Sequence, residues 1–564
     1  MLLFNFRKKI VLAWIISTCL TILIVGLSNA SSNTYLLLWN SIKVGIRGEI
    51  EWGSRNIIKV EDSELFPKYL SWKYDSNKAD LTVEKLRLRK VDGRVELLSL
   101  EISRYSRFVE KRASLEGVQD GDILDFSFTF RRKSPLPPHF WWFLPCSDDL
   151  EIKKLHIEVN SPINFKSNRS FSKGVLDIDD IPSTDPLSPA QEPILITSLS
   201  SWSRASVLFS PSLVSNFLPS EIRRKISRVS GARAKVEVLW RVLSREVRIL
   251  RGWSFSDQFY KFSPVEVLWK EKRMTPSDFS FMVFSMLKTM GLSPHLVWVS
   301  KWPLTKEYPV PSLIEYPLIK VVADDKTYWL DPCALNLPAG YISPSFQGKK
   351  GLVFSEGKPK FVEIPVQSEN LSSEKITFSM DLSKNGMYNF VLKAVSRGWL
   401  SEKLKRFSKL GEEIGIKIKD ASFGRKGGAF LGKVRGRGKI GIESYGKKLV
   451  FRLPKLGFPV DFLSLPPRRI NAIDLGFLRS FEHNIVLRYP KEWRVVSLPL
   501  PSIKESDAFS FSAKFVKGTR RRIFLTYSFK LKKKILSPEE WLSLLKGFML
   551  LEDYIGAQLL FERR

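Results

Sequence analysis

Cysteine and histidine are scarce in this 564-residue chain, three and four of them. That excludes a disulfide-stapled scaffold, a zinc-ribbon array and a multi-histidine metal centre, so neither a metal nor a cofactor is expected. Acidic residues are also in short supply: 58 Asp and Glu stand against 90 Lys and Arg, a net charge of +32. A charge of that size points to an anionic partner or surface and carries no information about fold. After residue 30 no apolar run is long and charge-free enough to span a bilayer. Aromatic bulk, by contrast, is plentiful. The 39 Phe and 16 Trp can fill several cores, which excludes a wholly disordered chain. At about 150 residues per domain, the length predicts three or four domains.

The first thirty residues have the layout of a secretory signal. Arg7, Lys8 and Lys9 precede an uncharged apolar run, Ile10 to Leu27, and Ser28-Asn29-Ala30 supplies small residues for cleavage. The run is also just long enough for a retained N-terminal membrane anchor, and both readings stay open. Either way the positive flank remains cytoplasmic and the body is expected outside, in the periplasm or at the cell surface. Thr18 before Cys19, with apolar residues continuing past it, argues against a lipoprotein. The body keeps a net +29, since the leader holds three cations and no acid. In that location nucleic acid is not an expected partner; a peptide, an anionic envelope polymer or a lipid surface is. Cys146 and Cys333 can pair there as a disulfide, or stand as two small buried residues.

Residues 31–215 read as β. Strand patterns at Leu81–Val83 and Leu86–Leu88 lead through Asp92-Gly93 into Val95–Leu100, a hairpin signature. Alternation returns at Ile123–Phe130, after Gly121-Asp122, and at Leu155–Val159. Pro135, Pro137 and Pro138, then Phe140-Trp141-Trp142-Phe143, suggest a loop with an aromatic plug, either a sugar-stacking pair or interface packing. Asp177–Pro193 reads as a linker. Residues 216–345 change character, with helices predicted at Pro219–Ser227, Ala234–Leu250 and Pro276–Met290. The last carries Phe279, Met282, Val283, Met286, Leu287 and Met290 on one face and stops at Gly291. Strands follow at His295–Ser300, Leu318–Val322 and Thr327–Leu330. Residues 346–564 return to β, at Ile376–Leu382, Tyr388–Val395 and Ile523–Phe529. A capping box, Ser537-Pro538-Glu539-Glu540, opens a late helix to about Leu551, and a strand closes the chain at Ala557–Glu562.

The segment Lys272-Arg273-Met274-Thr275-Pro276-Ser277-Asp278, its apolar helix and Gly291-Leu292-Ser293-Pro294 resemble the nucleophile segment of bacterial transglutaminase-like domains. The family's second landmark, a hairpin ending in Tyr-Trp-Leu-Asp, stands here as Tyr328-Trp329-Leu330-Asp331. The Asp92-Gly93 hairpin, Gly121-Asp122-Ile123 and Ser201-Trp202 resemble the domain of unknown function that precedes such domains in exported bacterial proteins. Pro538 and Trp541 resemble the helix of the β domain that follows. The resemblance implies a multi-domain α+β protein: an antiparallel β-sandwich (31–215), a papain-like transglutaminase-like α+β domain (216–345) and a C-terminal β-rich domain (346–564).

Family enzymes transfer acyl groups with a Cys-His-Asp triad. By the family's spacing those positions fall on Pro276, Tyr316 and Asp331. Pro276 has no nucleophile, and a tyrosine titrating near ~10 is a poor base. Thr275, Pro276 and Asp278 still suit a helix start. The expected function is therefore non-catalytic binding or scaffolding at the envelope, with Tyr316 and Asp331 either a ligand site in the old cleft or a structural pair. The alternative is a thiol- or serine-dependent acyl-transfer or amide-hydrolysing enzyme with relocated groups: Cys333, or Ser277 or Ser280 with His295 as base.

Two other signals remain. Gly436-Arg437-Gly438-Lys439-Ile440-Gly441 matches a dinucleotide fingerprint, but strand-like sequence follows where a helix is required. Basic clusters stand at Arg223-Arg224-Lys225, Lys405-Arg406, Arg520–Arg522 and Lys530–Lys534, each readable as a solvated face or as attraction to an anionic membrane.

Overall fold

The computed structural model describes residues 33–63, 66–105, 108–145, 151–181, 188, 192–210, 215–257, 260–355, 358–401, 417–426, 429–453, 465, 469–556 and 558–564. The expected signal or anchor at 1–30, and Cys146, lie outside the described residues. Among the described residues no helix is long and apolar enough to cross a membrane. The chain divides into two compact units, one ending at Pro365 and one running from Val366 to Arg564.

The first unit opens with a seven-stranded sheet, in the order Val175–Ile181, Glu151–Asn160, Thr34–Val44, Ile50–Lys59, Ile123–Arg132, Ala79–Arg89, Val95–Leu97. Ile50–Lys59 and Ile123–Arg132 bury alternate side chains, the period of a sheet with one covered face. The Asp92-Gly93 hairpin forms as read: Arg89 faces Val95, and Gly93 takes φ +86°, which a Cβ disfavours. A three-stranded sheet, Tyr69–Asp75, Phe108–Ser114 and Leu100–Tyr105, covers the buried face, with Trp72 edge-on to Phe126 and Phe128.

Three details correct the sequence reading. The sandwich is not wholly antiparallel, because Thr34–Val44 runs parallel to Glu151–Asn160; the long intervening chain permits the crossover that a parallel pair needs. The segment read as a linker begins inside the edge strand Val175–Ile181, where half-exposed positions tolerate Asp. The aromatic plug is not a loop but a strand, Trp141–Leu144, paired with Ile194–Thr197, and every residue of both is buried. Trp142, Leu144, Ile194 and Ile196 face the β core; Trp141, Phe143 and Leu195 face the helical core that follows. The Trp141 indole donates to the Tyr260 hydroxyl at 3.1 Å. One wall thus serves two cores. For that reason the structure shows a single unit across the expected junction at 215.

Among the described residues five α-helices follow: α1 Trp202–Phe209, α2 Ser220–Ile226, α3 Ala232–Glu246, α4 Val265–Glu271 and α5 Pro276–Thr289. Only α1 and α4 are absent from the sequence reading; at eight and seven residues they span about two turns, too few for a periodicity to show. In α5 every residue from Pro276 to Leu287 is buried, so it is a core helix rather than an amphipathic one. It lies against a five-stranded antiparallel sheet in the order Lys326–Leu330, Tyr316–Ala323, His295–Val299, Lys350–Ser355, Lys358–Glu363. The last two strands carry this sheet past the expected boundary at 345.

The second unit has an eight-stranded sheet, in the order Lys417–Lys426, Ala429–Lys439, Met387–Arg397, Ser373–Leu382, Ser480–Arg488, Arg522–Leu531, Phe509–Gly518, Ser502–Glu505. The Gly-Arg-Gly-Lys stretch lies on Ala429–Lys439, its arginines exposed and Gly436 and Gly438 turned inward. A Cβ at either glycine would overlap the Phe390 or Tyr388 ring. The motif therefore serves strand packing. The late helix, α6 Pro538–Ile555, buries Trp541, Leu544, Phe548 and Leu551. Its capping box forms: the Ser537 hydroxyl accepts from Glu540 N–H at 3.2 Å, and Glu540 accepts from Ser537 N–H at 3.0 Å. Ser537→Ala is expected to cost this unit about 1 kcal/mol, read from its urea midpoint.

Candidate functional site

The positions assigned to the triad converge. Pro276 is the first residue of α5, Tyr316 opens the adjacent strand, and Asp331 precedes a 3₁₀ turn, Pro332–Ala334, that also touches α5. One turn into the helix, the Ser280 hydroxyl donates to the Pro317 carbonyl, tying the helix start to the residue beside Tyr316. Thr275 caps α5 by accepting from Asp278 N–H at 3.2 Å, and the Asp278 carboxylate accepts from Ser263 N–H at 2.8 Å. The helix start is kept without a thiol.

The Tyr316 hydroxyl donates to Asp331 Oδ1 at 3.1 Å. The same carboxylate accepts from the Cys333 and Ser343 N–H groups at 2.8 and 2.7 Å. Asp331 is fully buried and Tyr316 nearly so. Burial raises the Asp331 carboxyl, against the hydrogen bonds from Ser343, Cys333 and Tyr316 that pull it down. Burial, then the Asp331 charge, pushes the Tyr316 hydroxyl well above its usual range, so it cannot serve as a base at neutral pH. The same two causes push the Cys333 thiol up to about 12 and keep it protonated, hence unreactive. Cys333 is a free cysteine.

The serine rescues fare no better. Ser277 is fully buried and its hydroxyl has no hydrogen-bond partner among the described residues; Ser280 is committed to Pro317. His295 is exposed and pairs with Lys320, while Tyr316 pairs with Val299 at the other end of that strand, roughly 13 Å along it.

Two polar clusters escaped the sequence reading. The first borders the triad positions. Phe255 N–H donates to the Glu315 carbonyl at 2.7 Å, tying the loop that holds Asp257 to the residue before Tyr316. Asp257 is buried and accepts from Ser254 N–H at 2.8 Å. Burial first, then the Glu315 charge, raises its carboxyl to about 7, against the Ser254 hydrogen bonds and the Lys73 ammonium. Lys73 comes from the β layer, 3.9 Å from Glu110, and burial lowers its own ammonium. The charge of Glu315 next to Tyr316 was the only available signal.

The second cluster is in the second unit. The His483 ring bridges Glu374, 2.9 Å from Nε2, and Tyr527, 2.8 Å from Nδ1; all three side chains are buried. Its members lie 109 and 44 residues apart in sequence, so no local pattern could reveal it.

Residues 48–177 match the domain of unknown function DUF3857. No curated protein matches the sequence. Several solved structures are similar, three of them as follows. A protein described as a "putative protease" from Parabacteroides distasonis ATCC 8503 aligns over 94% of this chain and 99% of its own, at 13% identity and a TM-score of 0.63. A "putative cysteine protease" from Cytophaga hutchinsonii aligns over 52% and 80%, at 10% identity and a TM-score of 0.18. Yeast LTA4 hydrolase aligns over 30% of each chain, at 11% identity and a TM-score of 0.19. Only the first likeness is close enough to bear on the fold. The chain thus contains a DUF3857 domain, within a multi-domain, strand-rich fold shared along almost its whole length with the Parabacteroides distasonis protein.

Proposed function

We propose that this chain is a non-catalytic binding or scaffold protein of the cell envelope, built on a degenerate transglutaminase-like fold. The observation that carries the reading is Pro276 at the start of α5, where family enzymes need a thiol. The buried Tyr316–Asp331 pair supports it: the hydroxyl and carboxylate satisfy each other and the adjoining backbone, as a structural pair does. The apolar run at residues 10–27 and the net charge of +32 support an envelope location and an anionic or peptide partner.

The rival is an acyl-transfer or amide-hydrolysing enzyme with relocated groups. Asp257, raised to about 7 near Glu315, is a group suited to act as its base. The test is an assay of the full chain for primary-amine incorporation and ammonia release. Asp331→Ala, Cys333→Ser and Asp257→Asn are run beside it. The expected result is no turnover above buffer in any sample. Turnover in the wild type that one of these substitutions abolishes would establish the enzyme instead.

A further inference from the structure

Between α2 and α3 lies a groove of about 250 Å³ lined by Lys225, Arg228, Arg241 and Arg245 over Val242, with a single acid, Glu246. Among the described residues Lys225 pairs only with Glu221 on its own helix, at 2.6 Å. Glu246 stands 4.0 Å from Lys272. Arg228, Arg241 and Arg245 have no ion-pair partner among the described residues. From Glu221 to Arg251 the chain places ten basic side chains against three acidic ones. The excess continues past α3: Arg248 sits opposite Arg273 in a short parallel pair, and both are exposed.

Like charges this close repel one another, and among the residues lining the groove Glu246 is the single acid set against four cations. An arriving phosphate would relieve that repulsion, and arginine forks suit its oxygens. The patch is wider than one phosphate needs. Next to the Arg248–Arg273 pair in the chain, Leu250 is 40% exposed and Val267, on the α4 helix that leads to Arg273, is 44% exposed, and a soluble anion would not use them. Cations interspersed with exposed apolar residues match a headgroup layer above acyl chains.

We propose that this face docks on an anionic lipid surface, with the α2–α3 groove seating a phosphate headgroup. The proposal does not depend on whether the Pro276 site is active. The test is cosedimentation of the full chain with phosphatidylcholine vesicles, with and without phosphatidylglycerol, at constant ionic strength. Two triple variants are compared: Arg228→Gln/Arg241→Gln/Arg245→Gln, and Lys433→Gln/Arg435→Gln/Arg437→Gln in the second unit. The apolar run at 10–27 is common to all. The groove variant is expected to lose roughly 100-fold in the phosphatidylglycerol-dependent part of binding, about fivefold per cation. The other variant should stay near wild type. An equal fall in both variants would reduce the effect to total charge and overturn the proposal, as would no fall in either. Pyrophosphate binding by the wild type, read by calorimetry, without any phosphatidylglycerol-dependent vesicle binding would assign the groove to a soluble phosphate and overturn the lipid reading.

Discussion

His483→Leu is expected to destabilise the second unit by about 3–5 kcal/mol. The imidazole bridges Glu374 and Tyr527 inside the core, where all three side chains are buried. Removing the ring takes from the Glu374 carboxyl and the Tyr527 phenol the hydrogen bond each makes to it, and an unmet buried polar group costs far more than a surface hydrogen bond is worth. Replacing the whole set is different. Adding Glu374→Leu and Tyr527→Phe to His483→Leu is expected to recover at least half of the loss, because the buried polar groups are then removed rather than orphaned. Urea unfolding followed by far-UV circular dichroism reads both values. A loss under ~1 kcal/mol for His483→Leu would mean that water reaches Glu374 and that the cluster is not sealed.

Asp257→Asn should stabilise the first unit, and only at neutral to alkaline pH. The carboxyl sits near 7 in the folded chain against an ordinary value of 3.8. A raised acid pKa means that the folded state prefers the protonated form. Stability is therefore greatest below about pH 4 and falls as pH rises from there to about 7. Above pH 7 the loss levels off on the order of 4 kcal/mol, at about 1.4 kcal/mol per unit. Glu315 adds to that penalty, while Lys73, with Glu110 and Arg112 around it, moderates it. Asparagine can still accept the Ser254 N–H and carries no charge. The unfolding midpoint of Asp257→Asn is expected to match the wild type near pH 4 and to exceed it clearly at pH 8.5. An equal difference at both values would assign the effect to packing rather than to ionisation.

Much of the fold was legible because it is local. The period-2 strands at Ile123–Phe130 and Ile376–Leu382, the Asp92-Gly93 turn and the Ser537 box each draw on a few neighbouring residues, and each formed. The start of α5 was legible for the same reason: Thr275 as cap and Pro276 at the first turn need only each other and Asp278. Illegible were features that need burial on two sides or a distant partner. Phe140-Trp141-Trp142-Phe143 has no alternation to read, because a strand walled by two cores is apolar on both faces.

The sequence by itself determined the absence of a thiol at the helix start, the excess of cations and the alternation that makes most of the strands. Those are properties of residue identity and spacing, which folding cannot alter. Tertiary structure alone decided the rest. It sealed Tyr316 against Asp331, held Asp257 near 7 between Glu315 and Lys73, joined His483 to Glu374 and Tyr527, and gathered Arg228, Arg241 and Arg245 around one groove. Each depends on how far a group lies from water and from charges remote in sequence, and those distances exist only once the chain has folded.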